Sequence, residues 1–155
     1  MSKQFTEKRY THRSISKNAI NMIKNFEGFS STPYVCAGGH FTIGYGHKIL
    51  ENEKYQNINK NLAQKILIKD ISKAENAVIR YIEVNLTNNQ FEALVSFTFN
   101  LGNAALQRST LRQKLNYELY YEASLEFLKW IYVKGKQNLG LIHRRKIERK
   151  LFITN

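Results

Sequence analysis

The 155-residue chain sets 24 Lys+Arg against 12 Asp+Glu, a net charge of +12, with 43% apolar residues and one cysteine. That apolar share suits one compact domain over residues 1–155 with a real core, and no run approaches the ~18–20 apolar residues of a membrane span, so stable membrane insertion is not expected. A single thiol excludes an internal disulfide and a thiolate zinc cluster, while the positive balance favours polyanions: nucleic acid, anionic membrane surfaces or bacterial cell-wall polymers.

Residues 1–14, MSKQFTEKRYTHRS, read as a polar N-terminal extension without the apolar centre of a signal peptide. Ala19, Ile20, Ile23 and Phe26 then recur at helical spacing behind the alternative caps Ser14 and Ser16, and Gly28 is a natural stop. From Pro33 to His47 the period changes. Tyr34, Phe41, Ile43 and Tyr45 alternate with small or polar residues among four glycines, which predicts a short, glycine-bent β-hairpin or small sheet. Asn59 caps a long predicted helix with Leu62, Ile66, Ala74, Val78 and Tyr81 on its apolar side. A further helix is predicted from Asn88 to about Leu101, apolar at Phe91, Leu94, Val95 and Phe99 and closed by Gly102. Shorter ones follow around Leu111–Leu115, Tyr120–Trp130 and His143–Leu151. The expected architecture is α+β: a helix and β lobe over about 15–58, then a mainly helical lobe over about 59–155, with the cleft between them as the default site.

Glu27 ends the first predicted helix. The negative end of the helix dipole and the flanking Phe26 and Phe29 disfavour its ionisation, as a general acid requires. Taken alone, the ordinary alternative is a solvated surface Glu. Thr42 alone is a common strand residue, and Cys36 alone is a small buried hydrophobe. His40 and His47, seven apart in a β segment, do not form a recognised zinc pattern, and TIGYGH lacks both the phosphate-loop ending and GxGxxG. The basic stretch HRRKIERK, His143 to Lys150, would suit a nucleic-acid helix, but no supporting motif accompanies it; a solvated helix face is the preferred reading for most of its charges.

Taken together, these segments resemble the phage-type lysozymes, or endolysins, of glycoside hydrolase family twenty-four. The family order of Glu, eight residues, Asp or Cys, five residues, Thr is met by Glu27, Cys36 and Thr42 without adjustment. The strings "EGF…PY" and "TIGYGH" fit the surrounding signature, and Leu86–Asn116 and Phe127–Phe152 resemble two later family segments, so the likeness spans roughly Ile15 to Phe152.

The resemblance implies a lysozyme-like fold and a muramidase that cuts the β-1,4 bond between N-acetylmuramic acid and N-acetylglucosamine in peptidoglycan. It implies no cofactor, no metal and no nucleic-acid partner. Glu27 takes the acid position, and Cys36 stands where Asp is more frequent. Thr42 helps to hold the attacking water. Arg144 is expected to approach Glu27, with Arg145 as the alternative; His47 and Asp70 are expected to pair between the β region and the long helix. Asn100 is expected near the acid and substrate, against the alternative of a helix-ending Asn beside Gly102. A monomer is expected, made in the host cytoplasm, released through a separate holin-type pore and acting on the cell wall. A thiol is a weaker acceptor than a carboxylate and reaches less far, leaving room for water, so an inverting single displacement is favoured over a sulfur nucleophile. The missing second carboxylate keeps a lytic transglycosylase as an alternative, and a catalytically inactive wall-binding protein is the non-enzymatic one.

Overall fold

Ser16, not Ser14, begins the first helix: its hydroxyl accepts from the Ala19 N–H at 3.2 Å, starting α1 at Lys17–Glu27. In the computed structural model, residues 12–155 are described; the polar extension through Thr11 lies outside them. Gly28, at φ +67°, turns the chain out of α1 with its N–H bonded to the Lys24 carbonyl. Three antiparallel strands follow in the order β1 (Ser30–Val35), β2 (Phe41–Gly44) and β3 (His47–Lys48), with Tyr34 opposite Thr42 and Ile43 opposite His47. Of the apolar alternation in β2, Ile43 is fully buried against Ile58 and Ala63. Phe41, expected on the same face, is 64% exposed because it sits at the turn end of the hairpin, paired with Val35.

Helix α2 (Lys60–Tyr81) is capped by Asn59, whose Oδ1 accepts from the Leu62 N–H at 2.8 Å. Its buried face is Ala63, Leu67, Ile71, Ala74 and Val78, spaced 4, 4, 3 and 4. Leu62, expected on that face, is exposed: it lies one residue to the side of the stripe. Helix α3 (Asn88–Leu101) opens with a Thr87/Gln90 capping box and buries every residue from Ala93 to Thr98. Such all-round burial marks the central helix; α2 covers one side of it and α7 (Leu139–Phe152) another. Between them come α4 (Asn103–Arg108), α5 (Thr110–Asn116) and α6 (Tyr120–Glu126), the last continued by a 3₁₀ turn over Phe127–Lys129. Aromatic rings tie this lobe together: Phe97 meets Phe127 at 5.3 Å and Trp130 at 5.6 Å.

Further features depart from the sequence expectation. Helix α4 has only six residues, too few to show a period. A two-stranded hairpin, β4 (Tyr132–Val133) and β5 (Lys136–Gln137), follows Trp130, turning on Lys134 and Gly135, both at positive φ. Helix α7 starts at Leu139, four residues before His143, because Asn138 caps it through the Leu141 N–H at 2.9 Å. HRRKIERK is also not the solvated face expected for it: Arg144, Arg145 and Glu148 are buried. The fold is α+β, an N-terminal three-stranded antiparallel sheet with a mainly helical remainder.

Candidate active site

A cleft of about 480 Å³ opens between the sheet and the helical lobe. Glu27, Cys36, Thr42 and Asn100 all line it. Glu27 enters from the last residue of α1, and Cys36 and Thr42 enter from the β1–β2 hairpin. Asn100 projects from the end of α3, and Tyr132 and Val133 of the β4–β5 hairpin form the far rim. Among the described residues, Glu27 is the only acidic one lining it.

Two contacts fix the Glu27 carboxylate. Arg144 donates from Nη1 to Oε1 at 2.6 Å. Arg144 is itself held: Nη2 donates to the Ser96 carbonyl at 3.1 Å, and the guanidinium lies over the Phe26 ring at 4.7 Å. On the other side stands Gly46, at φ +75°; a Cβ placed there would come 2.7 Å from the Glu27 Cδ. Glycine therefore suits position 46 on two counts, its backbone and the acid beside it. Arg145 does not reach Glu27. It turns toward α3, where Nη2 donates to the Asn100 Oδ1. Burial lowers the Arg145 pKa to about 10, against the pull of Glu148. With Oδ1 engaged, Asn100 has its Nδ2 donor to offer a ligand in the cleft.

Cys36 is a partly exposed free thiol at the head of the β1–β2 turn. Burial pushes its pKa up, but the His40 N–H, the Thr42 hydroxyl and the Gly38 and Gly39 N–H groups outweigh burial, and the net shift is downward. Thr42 is 4% exposed and belongs to the same cluster: its single hydroxyl proton has two acceptors to choose between, the His40 carbonyl at 3.1 Å and the Cys36 sulfur. Tyr34 lines the cleft as well; burial first, then the charges of Glu27 and Cys36, raise its pKa and keep it a neutral hydroxyl.

His47 sits in the adjoining hollow rather than in this cleft. Its Nδ1 is 2.6 Å from Asp70 Oδ2, joining β3 to α2, and its Nε2 is 3.0 Å from Glu53 Oε1. The Asp70 hydrogen bond raises the His47 pKa, burial opposes it, and Glu53 adds to the rise. Residue-by-residue reading missed Gly46, Ser96, Tyr34 and Glu53. Two of them carried a signal: Gly46 as the second glycine of TIGYGH and Tyr34 as the last residue of EGF…PY.

The arrangement brings one carboxylate, a polarisable thiol and a hydroxyl to the lining of a single cleft. The model of the phage lysozyme family matches residues 24–148, which contain every residue of this cleft. The chain is 42% identical over 143 residues to an endolysin of Bacillus phage B103, covering 91% of this chain but 54% of that protein. It is 39% identical over 142 residues to an endolysin of Acyrthosiphon pisum secondary endosymbiont phage 1, covering 89% of this chain and 97% of that one. Thus it spans about half of one relative and nearly all of the other. The solved endolysin from Escherichia coli O157:H7 phage FAHEc1 superposes with a TM-score of 0.82 at 32% identity, covering 92% of this chain and 95% of that one. By family match, identity and shape together, the chain belongs to the phage lysozyme family of glycoside hydrolases.

Proposed function

We propose that the chain is an endolysin that hydrolyses the β-1,4 bond between N-acetylmuramic acid and N-acetylglucosamine in peptidoglycan. The observation that carries this reading is the Arg144-clamped Glu27 carboxyl facing Cys36 and Thr42 in one cleft. Arg144 occupies Oε1, so in this reading the transferred proton leaves from Oε2, the oxygen beside Gly46. Glu27 gives that proton to the leaving glycosidic oxygen as positive charge builds on the sugar. A water on the opposite face, held by Cys36 and Thr42, adds to the anomeric carbon. Its proton passes to the Cys36 sulfur when that is a thiolate, and to solvent otherwise. The lowered Cys36 pKa increases the thiolate share, and a thiolate accepts a proton where a thiol does not. The outcome of this single displacement is inversion. The cell wall is then the place of action.

Turbidity loss of a peptidoglycan suspension tests the reading. The native chain should clear it, and folded Glu27→Gln should not; clearing by that variant would refute the assignment.

A second reading is supported by one observation: among the described residues, no second carboxylate lines the cleft. A lytic transglycosylase needs one Glu and the muramic acid's own hydroxyl as nucleophile, and it leaves 1,6-anhydromuramic ends.

A further inference from the structure

Glu148 is fully buried on α7, and neither of its oxygens has a hydrogen bond of good geometry. Removing a carboxylate from water is costly, and an apolar residue at such a place is often as stable or more so. What surrounds it is specific. Arg145 Nη1 lies 3.1 Å from Oε1, and Arg144 Nε lies 3.8 Å from Oε2. These are its i,i−3 and i,i−4 neighbours, so one turn of helix places both guanidiniums beside one carboxylate. From there the two arginines diverge: Arg144 reaches Glu27 on α1, and Arg145 reaches Asn100 on α3.

We infer that Glu148 is a positioning residue for the cleft, holding Arg144 and Arg145 together so that one aims the proton donor and the other aims the substrate-facing amide. Two adjacent buried guanidiniums repel each other, and Glu27 alone cannot neutralise both. Glu148 supplies a second acidic side chain beside the two cations; burial raises its pKa, while Arg145, Arg144 and the Ser96 hydroxyl favour its charged form. Ser96 and Phe26 steady Arg144 from α3 and α1, but neither carries charge. Arg145 has no other carboxylate among the salt bridges of the described residues. The inference rests on the reading of Glu27 as the proton donor, and it extends that site one shell inward.

The test is a double-mutant cycle on defined muropeptide oligomers, with folding of each variant followed by near-ultraviolet circular dichroism. Glu148→Gln keeps the shape and removes the charge; displacement of a catalytic group by about an ångström costs on the order of a hundredfold. It should lower kcat by tenfold to a hundredfold and raise KM through Asn100. In an Arg144→Lys background the same change should cost kcat much less, because Glu148 acts on the acid only through Arg144. Glu148→Asp, which keeps the charge, should recover part of the lost kcat, and it serves as the charge-retaining arm should the Gln variant fold poorly. Full kcat in folded Glu148→Gln, or equal losses with and without Arg144, would overturn the inference. So would an Asp variant that folds no less well than Gln yet recovers nothing. Glu27→Gln, run alongside, separates the failures: activity in that variant removes the underlying reading, whereas an inactive Glu27→Gln beside a fully active Glu148→Gln removes only this one.

Discussion

Gly46→Ala is the substitution that most sharply separates shape from chemistry. The backbone there has φ +75°, which costs an L-residue about 1–2 kcal/mol. For a chain of this size that is a fall in Tm of roughly 2–8 °C. The new methyl adds a second effect. Its carbon would lie 2.7 Å from Glu27 Cδ, where carbon contacts settle at about 3.5–4.0 Å, so the carboxyl must move by about 1 Å. A shift of that size in a proton donor costs on the order of a hundredfold in rate. Gly135→Ala is the matched control, since Gly135 has φ +78° with nothing within 4 Å of its Cβ position. Both variants should lose similar stability by thermal melting. Only Gly46→Ala should lose turbidity-clearing activity per folded molecule. Equal activities in the two variants would refute the claim that the close approach of Gly46 seats Glu27.

Cys36→Asp should keep muramidase activity while Cys36→Ala loses much of it, and a bulky thiol reagent should inhibit; a fully active Ala variant would make the thiol a spectator. The rate of Cys36 alkylation should rise with pH at lower pH than for a free thiol, and Thr42→Val, which removes one stabilising hydroxyl, should move that rise to higher pH. The raised pKa of His47 gives a stability contribution that is complete just below its unfolded value of about 6.5 and declines as pH climbs through the folded value. Asp70→Asn should therefore cost about 1.5–3 kcal/mol near pH 5.5 and progressively less at alkaline pH, measured by denaturant melts; a pH-independent cost would show that the pair does not act through the imidazolium. Asn100→Ala should raise KM with little change in Tm, whereas a loss confined to stability would make Asn100 only a helix-ending residue.

Local chemistry made the first half of the molecule readable. Gly28 and Asn59 act within four residues, as does Ser16, one of the two caps the string offers, so these helix ends were legible; α3 was placed by its apolar period, and its Thr87/Gln90 box emerges only in the structure. The motif spacing of Glu27, Cys36 and Thr42 likewise brought three cleft residues together, since a hairpin of fixed length returns Thr42 beside Cys36. Long-range burial was not legible in that way. Arg145 and Glu148 look like solvated charges in HRRKIERK, because nothing nearby in sequence reveals that α3 covers them. Leu62 and Phe41 failed in the opposite sense: both are apolar and in phase with a periodic run, but no partner element covers them. The β4–β5 hairpin escaped because two-residue strands are too short to show alternation.

The most direct measurement is mass spectrometry of the fragments released from purified peptidoglycan in ¹⁸O-water, by the native chain and by Glu27→Gln. The account predicts muramic reducing ends carrying the heavy oxygen from the native chain and no fragments from folded Glu27→Gln. Unlabelled 1,6-anhydromuramic ends, or labelled fragments from Glu27→Gln in native yield, would contradict it.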